Sequence, residues 1–134
     1  MKLLLDTYVA IWALNDDPML SERARELLLD PDNTIFYSTV SVWEVQLKHE
    51  RRPENIPFNE AEFCAACQAA GFLPLGLADK HVLTVRTLSR PAEAKAHNDP
   101  FDRLLLSQAK AEGFFLVTHD ALIPGYGENC ILSV

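Results

Sequence analysis

The sequence is poor in cysteine, has no excess of positive charge and holds no long apolar run, and each shortage removes a class of protein. Its three cysteines, Cys64, Cys67 and Cys130, are too few and odd in number for a disulfide framework. Cys64 and Cys67 have the spacing of a redox pair but lie inside a helical pattern running from Asn59 to Ala70. A reactive pair belongs at a helix N-terminus, where the dipole lowers the thiol pKa, so two small buried side chains are expected here. No second pair of Cys or His offers zinc spacing. A formal net charge of −7 argues against a protein that holds polyanions chiefly by neutralising their backbone. It still suits a nuclease whose carboxylates bind metal, or a chain with a basic partner. No apolar stretch approaches the roughly 20 residues of a bilayer span. The opening Met1 to Leu14 imitates a signal peptide, but Asp6 interrupts its apolar run and no small-residue cleavage site follows. The segment therefore reads as a strand entering a helix, and the protein as cytoplasmic.

What is present suits one domain over residues 1–134, with 49% hydrophobic residues to fill a core. No repeat, low-complexity tract or linker divides it. Leu3-Leu4-Leu5 reads as a fully buried strand, and Thr7 to Leu14 as a helix. Further helices are expected over Ser21–Leu29, Ser41–Arg52, Asn59–Ala70, Asp79–Leu88 and Pro100–Glu112. Strands are expected at Ile35–Ser38, Phe72–Leu75, Phe114–Val117 and Ile131–Val134, with Pro74 placing the third at an edge. Short apolar strands alternating with helices predict a three-layer α/β/α sandwich around a central, mainly parallel sheet of four or five strands. Ligands of such sheets bind at the carboxyl ends of strands, near a switch in strand order. Asp6 follows the first strand and Asp120 the fourth.

Each acid at this edge has a local explanation. Asp6 suits the cap of the helix it precedes, and Asp120 the cap of the Ala121-Leu122-Ile123 turn. Ser41 and Glu44 have capping-box spacing. Asp99 suits an N-cap ahead of Pro100, with Asp102 in the first turn. Local roles do not explain why acids recur at this edge in four separate segments. If they converge they repel, by roughly 4 kcal/mol for two unit charges 4 Å apart at an effective dielectric of 20. Such a cluster raises its own pKa values or recruits a cation, and oxygen donors suit Mg²⁺ or Mn²⁺.

Four pieces occur in order: Leu3-Leu4-Leu5-Asp6-Thr7, Ser41-Val42-Trp43-Glu44, His97-Asn98-Asp99-Pro100-Phe101-Asp102-Arg103 and Leu116-Val117-Thr118-His119-Asp120. In these the sequence resembles the PIN-domain proteins, and specifically the VapC-type toxins of bacterial toxin–antitoxin pairs. The resemblance implies Mg²⁺- or Mn²⁺-dependent hydrolysis of RNA and an acidic pocket formed by Asp6, Glu44, Asp102 and Asp120. By that reading Asp6 and Asp102 are the principal metal ligands, Glu44 and Asp120 complete the site, and Asp99 is accessory. It further implies a homodimer, neutralised by a VapB-type antitoxin. Tyr8 departs from the His or Asn that often follows Asp-Thr in the family.

Thr7, Ser38 and Thr118 suit either support of the carboxylates or ordinary strand-end hydrogen bonding. Lys48, Arg51 and Arg52 suit either guidance of an RNA backbone or a cationic helix C-terminus. Arg103 points about 100° from Asp102 and suits an ion pair or partner contact. Trp12 and Trp43 read as core or interface. His97 and His119 stay outside the catalytic set, because a metal site does not require them. A phosphatase with a strand-end nucleophile would need a second Asp where Tyr8 stands. The other rival is a catalytically weak PIN scaffold that serves as a protein- or RNA-binding module, but such a chain would be expected to have lost acids.

Overall fold

Three consecutive leucines, Leu3, Leu4 and Leu5, expose no surface, so the first strand is covered on both faces. The computed structural model describes all residues, 1–134. Strand β1 (Lys2–Leu5) lies between β2 (Thr34–Ser38) and β4 (Phe115–Thr118), with β3 (Leu73–Leu75) and β5 (Ile131–Ser133) at the edges. The order is β3-β2-β1-β4-β5, and all four pairings are parallel. Pro74 sits in edge strand β3 as expected, where a missing N–H disrupts no second ladder.

Side chains alternate across a strand, so Leu3 and Leu5 enter one core and Leu4 the other. The first core takes Val9 and Ala10 from α1 (Thr7–Leu14), Ala24 from α2 (Glu22–Leu29), Val45 from α3 (Thr39–Arg51), and Phe63 and Cys67 from α4 (Glu60–Ala69). The second takes Leu105, Leu106 and Ala109 from α6 (Pro100–Glu112), which packs with α5 (Asp79–Thr84). Each fully buried leucine contributes roughly 2 kcal/mol of burial. Helices on both faces of a parallel sheet make the expected three-layer sandwich. No helix is long and apolar enough to cross a membrane.

Two expected helices differ in detail. Helix α3 begins at Thr39 rather than Ser41, because Ser38 is the residue that leaves the strand and caps the helix, its Oγ accepting from Val40 N at 3.0 Å. The pattern from Asp79 to Leu88 divides into α5 and a tighter 3₁₀ turn over Val85–Thr87. Cys64 and Cys67 lie within α4, and burial, followed by the charge of Cys64, pushes the Cys67 thiol up to about 12. Neither is poised for redox chemistry.

Candidate active site

Asp6 is the residue at which β1 stops and α1 starts. Its Oδ1 accepts from Tyr8 N at 3.2 Å, which caps the helix. Its Oδ2 accepts from Thr118 Oγ1 at 2.6 Å, across to the end of β4. The same hydroxyl accepts from Asp120 N at 3.1 Å, and Asp120 Oδ1 in turn caps the next loop through Leu122 N at 2.7 Å. Thr118 thus ties together the loops after β1 and β4. The chain leaves β1 toward β2 on one side and returns to β4 on the other, so the switch in strand order falls between Asp6 and Asp120.

Asp102 arrives from the opposite layer. Asp99 Oδ1 accepts from Phe101 N and Asp102 N at 2.9 and 3.2 Å, Pro100 occupies the first turn, and Asp102 is presented just behind the cap. Its Oδ2 lies 3.2 Å from His97 Nε2, while His97 Nδ1 lies 2.7 Å from the Tyr126 hydroxyl. Glu44, in the interior of α3, is almost fully buried. Lys48 Nζ, one turn later, donates to Glu44 Oε2 at 2.5 Å, and Glu44 Oε1 is buried with no partner at all. No capping box forms between Ser41 and Glu44: α3 begins earlier, and the Ser41 hydroxyl pairs with Thr7 Oγ1 at 2.8 Å.

Asp6, Glu44, Asp99, Asp102 and Asp120 therefore converge on one pocket of about 340 Å³, rimmed by Tyr8, Trp12, Lys48 and His119. Burial raises Asp6 to about 6, with Glu44 and Asp120 adding repulsion against the downward pull of the Thr118 and Tyr8 hydrogen bonds. Burial raises Asp102 further, to about 8, and Asp6, Asp99, Glu44 and Asp120 all push the same way. Burial lowers the pKa of His97. Burial alone would also lower Lys48, but the bonded Glu44 carboxylate outweighs it and leaves the ammonium raised. The pocket thus holds its proton on Asp102 near neutrality.

This donor set fits a divalent cation. Single ligand atoms of His97, Asp102 and Asp120 lie within 4.8 Å of one another, and Glu44 Oε1 is a buried oxygen with no hydrogen-bond partner. Asp6 and Glu44 line the same pocket but stand outside that close group, which His97 completes instead.

Of the three hydroxyls considered as supports, Thr118 binds the carboxylate of Asp6. Thr7 binds Ser41, and Ser38 donates to Gln108 Oε1. Lys48 was legible as an i,i+4 partner of Glu44. Tyr126 carried no local signal, since it reaches Asp102 only through His97. Because Thr118 serves two loops, Thr118→Val is expected to cost about 1–3 kcal/mol and to raise Asp6 above its present value of about 6. Denaturant titration and carboxyl NMR check the two effects; an unmoved Asp6 resonance would show that the hydroxyl does not hold its charge.

A five-stranded parallel sheet with carboxylates gathered at its switch point defines a class of acidic-pocket domains. The PIN domain family model matches residues 3–127, and the chain belongs to that family. It is similar in structure to VapBC2 from Rickettsia felis bound to a promoter DNA fragment, with a TM-score of 0.67 at 20% identity, covering 100% of this chain and 98% of that one. It is also similar to VapBC-1 from nontypeable Haemophilus influenzae (TM-score 0.64, 16% identity, 99% and 98% covered). A toxin–antitoxin complex from Klebsiella pneumoniae gives a TM-score of 0.60 at 18% identity, with 98% and 96% covered. No curated protein matches the chain significantly in sequence.

Proposed function

We propose that this chain is a metal-dependent endoribonuclease, the toxin of a toxin–antitoxin pair acting in the cytoplasm. The observation that carries the reading is the convergence of Asp6, Glu44, Asp102 and Asp120, from four separate segments, on one pocket. Isolated helix caps have no reason to meet, whereas a phosphodiesterase needs several oxygens around a cation.

In this reading Asp102, Asp6 and Asp120 hold Mg²⁺ or Mn²⁺, Glu44 completes the set directly or through water, and Asp99 is accessory. When bound, the cation supplies a water of lowered pKa and a positive charge opposite the scissile phosphate. The chain's own groups do the positioning. Thr118 fixes the orientation of Asp6, Asp99 presents Asp102, and Lys48 holds Glu44 in place through a 2.5 Å contact. His97 fixes the Asp102 oxygen that faces it and leaves the other free.

A VapB-type antitoxin and a second copy of the chain are the proposed protein partners. Trp43, expected as core or interface, is 54% exposed and lies edge-on to Phe101 at 5.3 Å. Its exposure suits burial by a partner.

Incubation of the purified chain with RNA is expected to yield cleavage in Mn²⁺ or Mg²⁺ and none in EDTA, with activity restored by excess cation. Cleavage that persists in EDTA would refute the metal role. Absence of cleavage under every condition would favour the binding-module reading.

A further inference from the structure

Arg90 stands half-buried in the loop that follows the 3₁₀ turn over Val85–Thr87. In a chain with 19 acidic side chains it forms no ion pair. Its guanidinium is spent on backbone and on a ring instead. Nε and Nη2 donate to Lys95 O at 3.0 and 2.5 Å, and Nη1 donates to Leu122 O at 2.6 Å. The guanidinium carbon lies 4.8 Å from the ring centroid of Tyr126, within cation–π reach. A planar fork suits this three-way grip, and a lysine ammonium has no geometry to copy it. Gly125 makes the room: a Cβ there would stand 2.7 Å from Nη2 and 2.8 Å from Nη1. Gly125 has no left-handed φ, so the position uses its missing side chain and not its backbone freedom.

These contacts lead to the acidic pocket by two routes. On the first, Tyr126 and His97 are both buried, and the Tyr126 hydroxyl lies 2.7 Å from His97 Nδ1 and donates to the His97 carbonyl at 3.3 Å. It thereby grips His97 at ring and backbone, while Nε2 faces Asp102 Oδ2 at 3.2 Å. Lys95, two residues before His97, is held by the same guanidinium. On the second, Leu122 accepts from Arg90 through its carbonyl and donates through its N–H to Asp120 Oδ1 at 2.7 Å. His97, Asp102 and Asp120 are the three residues whose ligand atoms gather within 4.8 Å. The guanidinium bonds to none of them, yet through one or two intermediaries it stands behind all three.

We propose that Arg90 is a positioning residue of the cation site: seated on Gly125, it locks Tyr126 and Leu122, and through them sets the spacing of His97, Asp102 and Asp120. The proposal rests on the cation reading above and supplies a cause for the arrangement of its ligands. Placement and charge predict opposite signs. A guanidinium near an acidic pocket repels a second cation, so its loss through charge alone would strengthen cation binding. Loss of a group that orients metal ligands weakens binding, typically by roughly 10–100-fold.

The test measures Mn²⁺ affinity of the full chain by calorimetry, with the ¹⁵N resonances of the His97 ring in the metal-free chain as a second readout. Arg90→Ala and Arg90→Lys are each expected to bind Mn²⁺ roughly tenfold more weakly, since the lysine keeps the charge but not the fork. Both are expected to move the His97 nitrogens toward their positions in Tyr126→Phe, which lacks the hydroxyl. Gly125→Ala displaces the guanidinium with Arg90 intact and is expected to act in the same direction. Added to Arg90→Ala it is expected to cost nothing more, because the two substitutions remove one contact. The control Lys110→Gln cuts a comparable tie, from Lys110 Nζ to Thr87 and Glu128, that bypasses Tyr126 and Leu122, and is expected to leave affinity unchanged. Unchanged or tighter Mn²⁺ binding by Arg90→Ala would overturn the proposal, as would unmoved His97 resonances. An equal loss in Lys110→Gln would reduce the effect to general loosening, and additive losses for Arg90→Ala and Gly125→Ala would break the link between them; either result also overturns it. If the native chain binds no Mn²⁺, the cation reading fails by itself, and the His97 resonances alone decide for or against the clamp.

Discussion

Asp102→Asn is expected to lower RNA cleavage on the order of 10³-fold and, at the same time, to stabilise the protein in EDTA at pH 8. The amide keeps the shape of the carboxyl and its place behind the Asp99 cap, but it has no charge to offer a cation. The opposite sign of the stability effect follows from Asp102 being raised to about 8 by burial and by Asp6, Asp99, Glu44 and Asp120. A carboxyl with a folded pKa above its unfolded value binds its proton more tightly in the native state. Its contribution to stability is complete below the unfolded pKa of about 4 and is lost as pH rises to about 8. Asparagine is neutral throughout and escapes that loss, by a few kcal/mol in order of magnitude. Denaturant unfolding in EDTA at pH 5 and pH 8 should show the advantage of the variant growing with pH. A variant less stable than the parent at pH 8 would mean that the carboxylates do not repel as their placement requires.

The second large effect is the pH dependence of cation binding. A cation must displace whatever proton its ligands carry. Between about pH 8 and 6 Asp102 carries a proton that the cation must displace, and affinity for Mn²⁺ is expected to fall about tenfold per pH unit. Below about pH 6 Asp6 is protonated as well, and the fall steepens toward a hundredfold per unit. From pH 8 to pH 5 the loss reaches about 10⁴-fold. Calorimetry at pH 7 in buffers of different ionisation enthalpy should register close to one proton released per Mn²⁺ bound, and almost none in the Asp102→Asn variant. A flat profile over this range would place the cation away from both carboxyls.

Much of the architecture was legible because it is local. The apolar run Leu3-Leu4-Leu5 could only be a strand buried on both faces. Ser21 and Asn59 cap the helices they precede, and Gly113 closes α6 with a left-handed φ of 72°. The start of α3 was misread because Ser38 and Ser41 are equally good caps by composition. Ser38 caps because β2 delivers it to that point, with its hydroxyl against Gln108 from α6, seventy residues away in the chain.

The four acids divide along the same line. By itself the sequence determined that acids stand at strand ends and in first helical turns, because caps and strand boundaries are set by neighbours within a few residues. Ordered motifs marked Asp6, Glu44, Asp102 and Asp120 as members of one set. Only the tertiary structure decided how that set is arranged: that His97 stands closer to Asp102 and Asp120 than spacing suggested, that Tyr126 backs His97, that one oxygen of Glu44 is left without a partner, and that Asp102 keeps its proton near neutrality. These properties depend on distance and desolvation between segments far apart in the chain, and both quantities exist only once the sheet has brought those segments to one edge.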